Sequence, residues 1–214
     1  DFDWADLIDN EDKVRMLIDP TSDYARAAAM AMGRAMDEVL IDAALGTAYT
    51  GVSGSTTVAG QTAIAAGATG LSLAKLLSAK ETMDGDDVAE SGRVIVCTAD
   101  QITDLLNTTE VQSADFNTVK ALARGEVDTF LGFRFIPVNG KRIDGSKLVP
   151  VDGSSNRRCF AFQGDGLLLG VGADMTTKIS ERADKNYATQ VFCSMSIGGT
   201  RMEEARVLEI LCVE

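Results

Sequence analysis

Residues 19–48 read DPTSDYARAAAMAMGRAMDEVLIDAALGTA, and the fold is decided there. Pro20-Thr21-Ser22 places hydroxyl groups where a helix needs N-cap acceptors, and Asp23 puts a negative charge in the first turn. From Asp23 to Leu45 the stretch contains no proline and is dense in alanine and other strong helix formers. Gly46 stands where a C′ glycine ends a helix. The pattern predicts a helix over 22–45, about 34 Å long. Tyr24, Ala28, Ala31, Ala35, Val39 and Ala43 recur at steps of three and four and predict its apolar stripe. Asp23, Arg26, Arg34, Asp37, Glu38 and Asp42 fall mostly on the other side. Arg34 stands three and four residues before Asp37 and Glu38, a spacing at which ion pairs add a few tenths of a kcal/mol each. A stripe so rich in alanine implies that another backbone approaches it closely.

Working outward, residues 1–12 carry six acids among Phe2, Trp4, Leu7 and Ile8 and read as an irregular or short amphipathic lead-in. After the helix, Gly51 to Gly70 is a Gly/Ser/Thr/Ala-rich connection with a short strand at Thr56-Thr57-Val58. Further helices are predicted at 71–83, 99–106 and 117–124, the first ended by Asp84-Gly85-Asp86-Asp87. Arg93 to Cys97 is a short apolar β-branched run of the kind that forms a buried strand. From residue 125 the pattern turns to strands. Phe130 to Val138 reads as one strand entering an Asn139-Gly140 turn. Further runs lie at 159–163, 167–169, 176–182, 190–197 and 207–213, with Gly198-Gly199 as a break. Helices followed by mostly antiparallel strands make the fold class α+β.

The bulk composition narrows the function. A chain of 214 residues holds one large domain or two small ones. Its 32 acidic residues outnumber 20 basic ones, for a net charge of −12. Gripping phosphates requires clustered Lys and Arg, so sequence-specific nucleic-acid binding is excluded. A container for nucleic acid remains compatible, because an acidic wall repels its contents. The cysteines, at 97, 159, 193 and 212, have apolar neighbours and no zinc spacing, so they read as small reduced core residues. No secretory signal occurs, and apolar runs are broken by charge well before the ~18 residues of a membrane span.

The search for chemistry is mostly negative. The chain has no histidine, which removes Ser-His-Asp, Cys-His and HExxH catalysis. Gly170-Val171-Gly172 is followed by Met175 where a dinucleotide fingerprint needs glycine, and Gly51 to Ser55 lacks the lysine of a phosphate loop. Asp84, Asp86 and Asp87 lack the spacing of a calcium loop. Glu203-Glu204 beside Arg201 and Arg206 reads as a local ion-pair network. No catalytic, cofactor-binding or metal-ligating residue is assigned.

Three segments together carry a resemblance. Asp19 to Tyr24 running into Arg34, Asp37 and Ala44-Leu45-Gly46-Thr47-Ala48 resembles the long spine helix of tailed-bacteriophage major capsid proteins. Gly125-Glu126-Val127-Asp128 followed by Leu131-Gly132-Phe133 is similar to a second segment of that family. Ala183 to Val191 followed by Met195-Ser196-Ile197-Gly198-Gly199-Thr200-Arg201 is similar to a third, with Gly199 where alanine is frequent. The resemblance implies the capsid fold shared with herpesviruses and encapsulins. Residues 1–50 and 174–203 would form its peripheral domain, with spine helix and β-hairpin. Residues 51–173 and the terminal strand 204–214 would form its axial domain, a central sheet with flanking helices.

The implied function is a non-enzymatic subunit that self-assembles into pentamers and hexamers of an icosahedral shell around DNA. Scaffolding and portal proteins would be its partners, the bacterial cytoplasm its site of synthesis and the virion its destination; no cofactor and no membrane are involved. Arg34, Asp37, Glu38, Lys185, Arg201 and Glu204 are the expected intersubunit contacts. Relatives carry an N-terminal arm and a clasping loop before the spine helix, so this sequence is expected to be a trimmed form. An encapsulin-type compartment shell and a histidine-free ligand-binding module are the alternative readings.

Overall fold

The structure, a computed structural model, describes residues 1–9, 21–58, 63–107, 129–142 and 144–214. The helix expected at 117–124 and the segment Gly125 to Asp128 lie outside the described residues. In chain order the elements are β1 (Phe2–Ile8), α1 (Thr21–Leu45), β2 (Ala48–Thr50), β3 (Thr56–Val58), α2 (Leu73–Gly85), β4 (Arg93–Cys97) and α3 (Ala99–Asn107). There follow β5 (Thr129–Phe130), β6 (Phe133–Pro137), β7 (Arg157–Gln163), β8 (Leu167–Arg182), β9 (Ala188–Arg201) and β10 (Val207–Cys212). The chain divides into two units, one of Asp1–Val39 with Leu169–Gly199 and one of Leu40–Leu168 with Thr200–Glu214.

The first unit holds a three-stranded sheet in the order β1-β9-β8. The lead-in expected to be irregular or a short amphipathic segment is strand β1, antiparallel to β9 from Phe2↔Met195 to Ile8↔Thr189. Its sequence alternates, so Phe2 and Trp4 share one face, and both pack against a cluster of Ala28, Met32, Ala35, Cys193 and Met195. Pairing to β9 overrides the low strand propensity of its acids. The runs expected at 167–169 and 176–182 are one strand, β8. Gly198-Gly199 does not break β9, because hydrogen bonding in the ladder outweighs the weakness of glycine in a strand.

The second unit is built on a five-stranded sheet, β10-β7-β4-β6-β5, antiparallel except for β4 beside β6. Alternation gives it two apolar faces. On one, Ile95, Phe133, Phe135, Cys159 and Ile210 meet Leu76, Ala79 and Met83 of α2 and Leu105 of α3. On the other, Val96, Phe160 and Val207 meet Ile41 and Ala44 of α1 with Leu148 and Val149. Burying each of the valine, leucine, isoleucine, phenylalanine and methionine side chains among them is worth about 1.5–3 kcal/mol. The apolar run Phe130 to Val138 is not one strand. It folds back at Leu131 (φ 53°) and Gly132 (φ 84°) into a two-residue hairpin, pairing Phe130 with Phe133. Asn139, expected in a hairpin turn, accepts the Ala99 N–H through Oδ1 at 3.0 Å and thereby caps α3.

Helix α1 runs where expected, but its stripe does not. Ala28, Met32 and Ala35 are buried in the first unit, whereas Ile41 and Ala44 are buried in the second. The six steps from Ala35 to Ile41 turn a helix by about 600°, which leaves the predicted line through Val39 and Ala43.

Candidate assembly surfaces and the clamped end of the long helix

The last carbonyls of a helix need partners, and α1 carries no basic residue in its own last turn. Two arginines from distant sequence supply them, and a third pairs with a carboxylate of the last turn. Arg201, at the end of β9, donates from Nη1 to the Ala44 carbonyl at 3.1 Å. Arg158, on β7, donates from Nη2 to the Leu45 carbonyl at 3.1 Å and pairs with Glu209 of β10. Arg142 pairs with Asp42, with Nη1 3.2 Å from Oδ2. Gly46 N–H closes the end on the Asp42 carbonyl at 2.7 Å. A Cβ on Gly46 would stand 2.6 Å from that oxygen, so close approach, rather than a left-handed backbone, requires the glycine. Positive charge at a helix C-terminus is stabilising in its own right.

A cavity of about 400 Å³ beside this end is lined by Asp42, Leu45, Arg142, Asp144, Pro150 and Arg158, among others. Its arginines are matched by Asp42 and Glu209, so it is not a pocket of convergent acids.

The sequence-predicted contact residues take different places. Arg34 and Asp37 are exposed on α1 and Glu38 is half-buried beside them. Arg34 has no ion pair among the described residues, so neither helical pair expected for it forms. Partial burial raises the Asp37 carboxyl. Lys185 is exposed in the turn between β8 and β9, followed by Asn186 (φ 49°) and Tyr187 (φ 60°). Two consecutive left-handed non-glycine residues hold that tip in an uncommon shape. Glu204 is half-buried in the turn before β10, where its neighbour Glu203 pairs with Arg206. Arg201 is not a surface residue: it is 6% exposed, and its Nε and Nη2 have no hydrogen-bond partner among the described residues.

The acidic turn is also accounted for. Asp84 pairs with the buried Arg93 at 2.6 Å, which holds its carboxyl below the usual range. Among the described residues no group of acids, cysteines or histidines is arranged to hold a metal ion. No described helix is long and apolar enough to cross a membrane.

Sequence reasoning missed the clamp of Arg142 and Arg158. It also missed a second network at residue 214. There Glu214 accepts from Arg157 Nε at 2.9 Å and from Lys147 Nζ at 3.1 Å, while Arg157 Nη1 donates to the Val149 carbonyl at 2.6 Å. The only signal for the first was the missing basic residue in the last turn of α1.

The whole sequence, residues 1–214, matches the model of one family, described as phage capsid protein. The chain belongs to the phage capsid protein family. Solved capsid structures share its fold at low identity. A chain of Mycobacterium phage Che8 is 19% identical with a TM-score of 0.66, over 98% of this chain and 69% of that one. The capsid of cyanophage P-SCSP1u is 19% identical with a TM-score of 0.71, over 100% and 72%. That of Helicobacter pylori bacteriophage KHP30 is 10% identical with a TM-score of 0.70, over 100% and 74%. A comparison with curated proteins gives no match. This phage capsid protein is a structural subunit of the virion capsid, of the major capsid type, and nothing favours the encapsulin alternative.

Proposed function

We propose that the chain assembles with copies of itself into pentamers and hexamers of an icosahedral shell that encloses DNA. Scaffolding and portal proteins direct that assembly, synthesis takes place in the bacterial cytoplasm, and the subunit carries no catalytic site. The peripheral domain corresponds to 1–50 with 174–203, and the axial domain to 51–173 with 204–214. The observation that carries the reading is unspent charge. Arg34, Asp37 and Lys185 are exposed without an ion pair among the described residues, on a helix face and a hairpin tip that no described element covers. Together with Glu38 and Glu204 they are the proposed intersubunit contacts, and Arg201 serves the helix end instead. Such contacts select partners and register more than they add affinity.

The test is reversal of charge at Arg34→Glu and Lys185→Glu, with circular dichroism as the folding control. Loss of particles by electron microscopy with an unchanged spectrum is expected. Particles in normal yield from the double variant would overturn the assignment of these contacts.

A further inference from the structure

The five-stranded sheet ends on one side at β10, whose residues Val207-Leu208-Glu209-Ile210-Leu211-Cys212 carry a single charge. An apolar edge strand with open backbone groups is a template for pairing with another chain. Here residues 63–70 cover that edge as a strap. Ile64 lies parallel to Ile210. Its N–H donates to the Glu209 carbonyl at 2.8 Å, and its carbonyl accepts from the Leu211 N–H at 2.9 Å. Further along, the Thr69 carbonyl accepts from the Val213 N–H at 3.0 Å.

Between those two points the strap leaves the strand. In a parallel ladder continued from Ile64, the Ala66 N–H would meet the Leu211 carbonyl. The chain instead turns at Gly67 (φ 56°) and Ala68 (φ 54°), and the Ala66 carbonyl accepts from the Thr69 N–H at 3.1 Å. A side chain takes the Leu211 carbonyl. Lys75 of α2, 7% exposed, donates from Nζ to the carbonyls of Thr69, Gly70 and Leu211 at 2.7, 2.8 and 2.9 Å. The three N–H donors of its ammonium thus meet three acceptors, two on the strap and one on the strand. Asp104 of α3 closes on Gly70 as well, where a Cβ would stand 1.9 Å from Oδ2.

We infer that the strap is an edge guard latched by Lys75, and that it keeps β10 of one copy from pairing with β10 of another. An uncovered β10 presents the Glu209 carbonyl, both backbone groups of Leu211 and the Val213 N–H. Two such edges related by a two-fold axis form an antiparallel pair, because the same patch then meets itself. That pairing joins two five-stranded sheets edge to edge and diverts subunits from a shell. The purpose of the guard therefore rests on the self-assembly proposed above, whereas the latch itself does not. Lysine suits the task, because one ammonium holds three carbonyls where a backbone N–H would hold one.

The experiment compares the native protein with Lys75→Met, which keeps an apolar stem and removes the donors. Both are taken as dispersed subunits isolated by size exclusion. Amide exchange followed by NMR reads Leu211 and Val213, and sedimentation velocity reads size at rising concentration. In dilute Lys75→Met those two amides should exchange roughly 10- to 100-fold faster, as the loss of a charge-assisted hydrogen bond implies, with a cooperative thermal transition retained. At higher concentration the variant should form a dimer that the native subunit does not, and in it the same amides should regain protection. Gly70→Ala, which drives a Cβ into Asp104, loosens the strap from its other side and should give the same dimer. Unchanged exchange in both variants, faster exchange in a subunit that stays monomeric, a dimer in which Leu211 and Val213 remain fast, or loss of the cooperative transition in both variants would each overturn the proposal. The readout is made on dispersed subunits, so it stands apart from whether shells form.

Discussion

In the unit of Leu40–Leu168 and Thr200–Glu214 the sheet is covered on both faces, by α2 and α3 on one side and by the end of α1 with Leu148 and Val149 on the other. In the unit of Asp1–Val39 and Leu169–Gly199 one helix packs on a three-stranded sheet, and β8 is exposed from Gly170 to Glu181. The difference separates stability from surface. The first arrangement concentrates large buried side chains such as Phe133 and Phe160, while the second buries mainly alanine, methionine and cysteine. A shell subunit needs both, a body that stays folded and an extended surface that gains its remaining burial from neighbours.

The comparison is broken most forcefully in the core. Phe160→Ala should cost about 3–5 kcal/mol, because a two-sided core cannot collapse into the cavity. Met32→Ala in the thinner unit should cost about 2 kcal/mol, at the low end for such truncations. Urea denaturation measures both, and equal losses would show that the two units are equally well packed.

Next comes the buried arginine. Arg201→Glu places a carboxylate against the Ala44 carbonyl and should destabilise by about 3–5 kcal/mol, as an uncompensated buried charge does. Arg201→Met should stay within about 1 kcal/mol of the native protein, because one hydrogen bond is lost while a guanidinium with two unpartnered nitrogens is no longer buried. A large loss in both variants would show that the helix clamp depends on Arg201 itself.

The Glu214 network gives a smaller, pH-dependent effect. Hydrogen bonds from Arg157 and Lys147 lower the Glu214 carboxyl from 4.5 to about 2. A depressed carboxylate contributes stability above its unfolded value, and that contribution is lost as pH falls from 4.5 toward 2. Glu214→Gln should therefore cost about 1–2 kcal/mol at pH 7, after allowance for solvent screening, and nothing near pH 2. Thermal midpoints across that range check it.

The smallest effect is on the exposed face of α1. A Cβ on Gly33 would meet nothing within 4 Å, so Gly33→Ala should stabilise the subunit by about 0.5–1 kcal/mol. Stabilisation of the subunit with fewer particles would show that a neighbour approaches this face closely.

Much of this architecture was legible in the sequence. The span of α1 was, because twenty-odd residues without proline and rich in alanine have few alternatives. So was β4, a short β-branched run. The burial of α1 was not, because Ala28 to Ala35 and Ile41 to Ala44 answer to different cores and no single stripe describes both. Strand β1 was masked by its acids, although the alternation of Phe2 and Trp4 with Asp3 and Ala5 was present. The Leu131-Gly132 turn was hidden because leucine rarely takes a positive φ. Among the contact residues, Arg34, Asp37 and Lys185 are exposed as a surface role requires. Arg201 was misjudged, since nothing local marks an arginine that will be buried against a helix end formed more than a hundred residues earlier.

The central claim is that this chain builds a shell from copies of itself. The most direct measurement is cryo-electron microscopy of the protein expressed alone and with a scaffolding protein of the kind proposed above. The account predicts closed icosahedral particles, with α1 and the β8–β9 hairpin at contacts between subunits. Only dispersed monomers under both conditions, from a protein with a cooperative thermal transition, would contradict it.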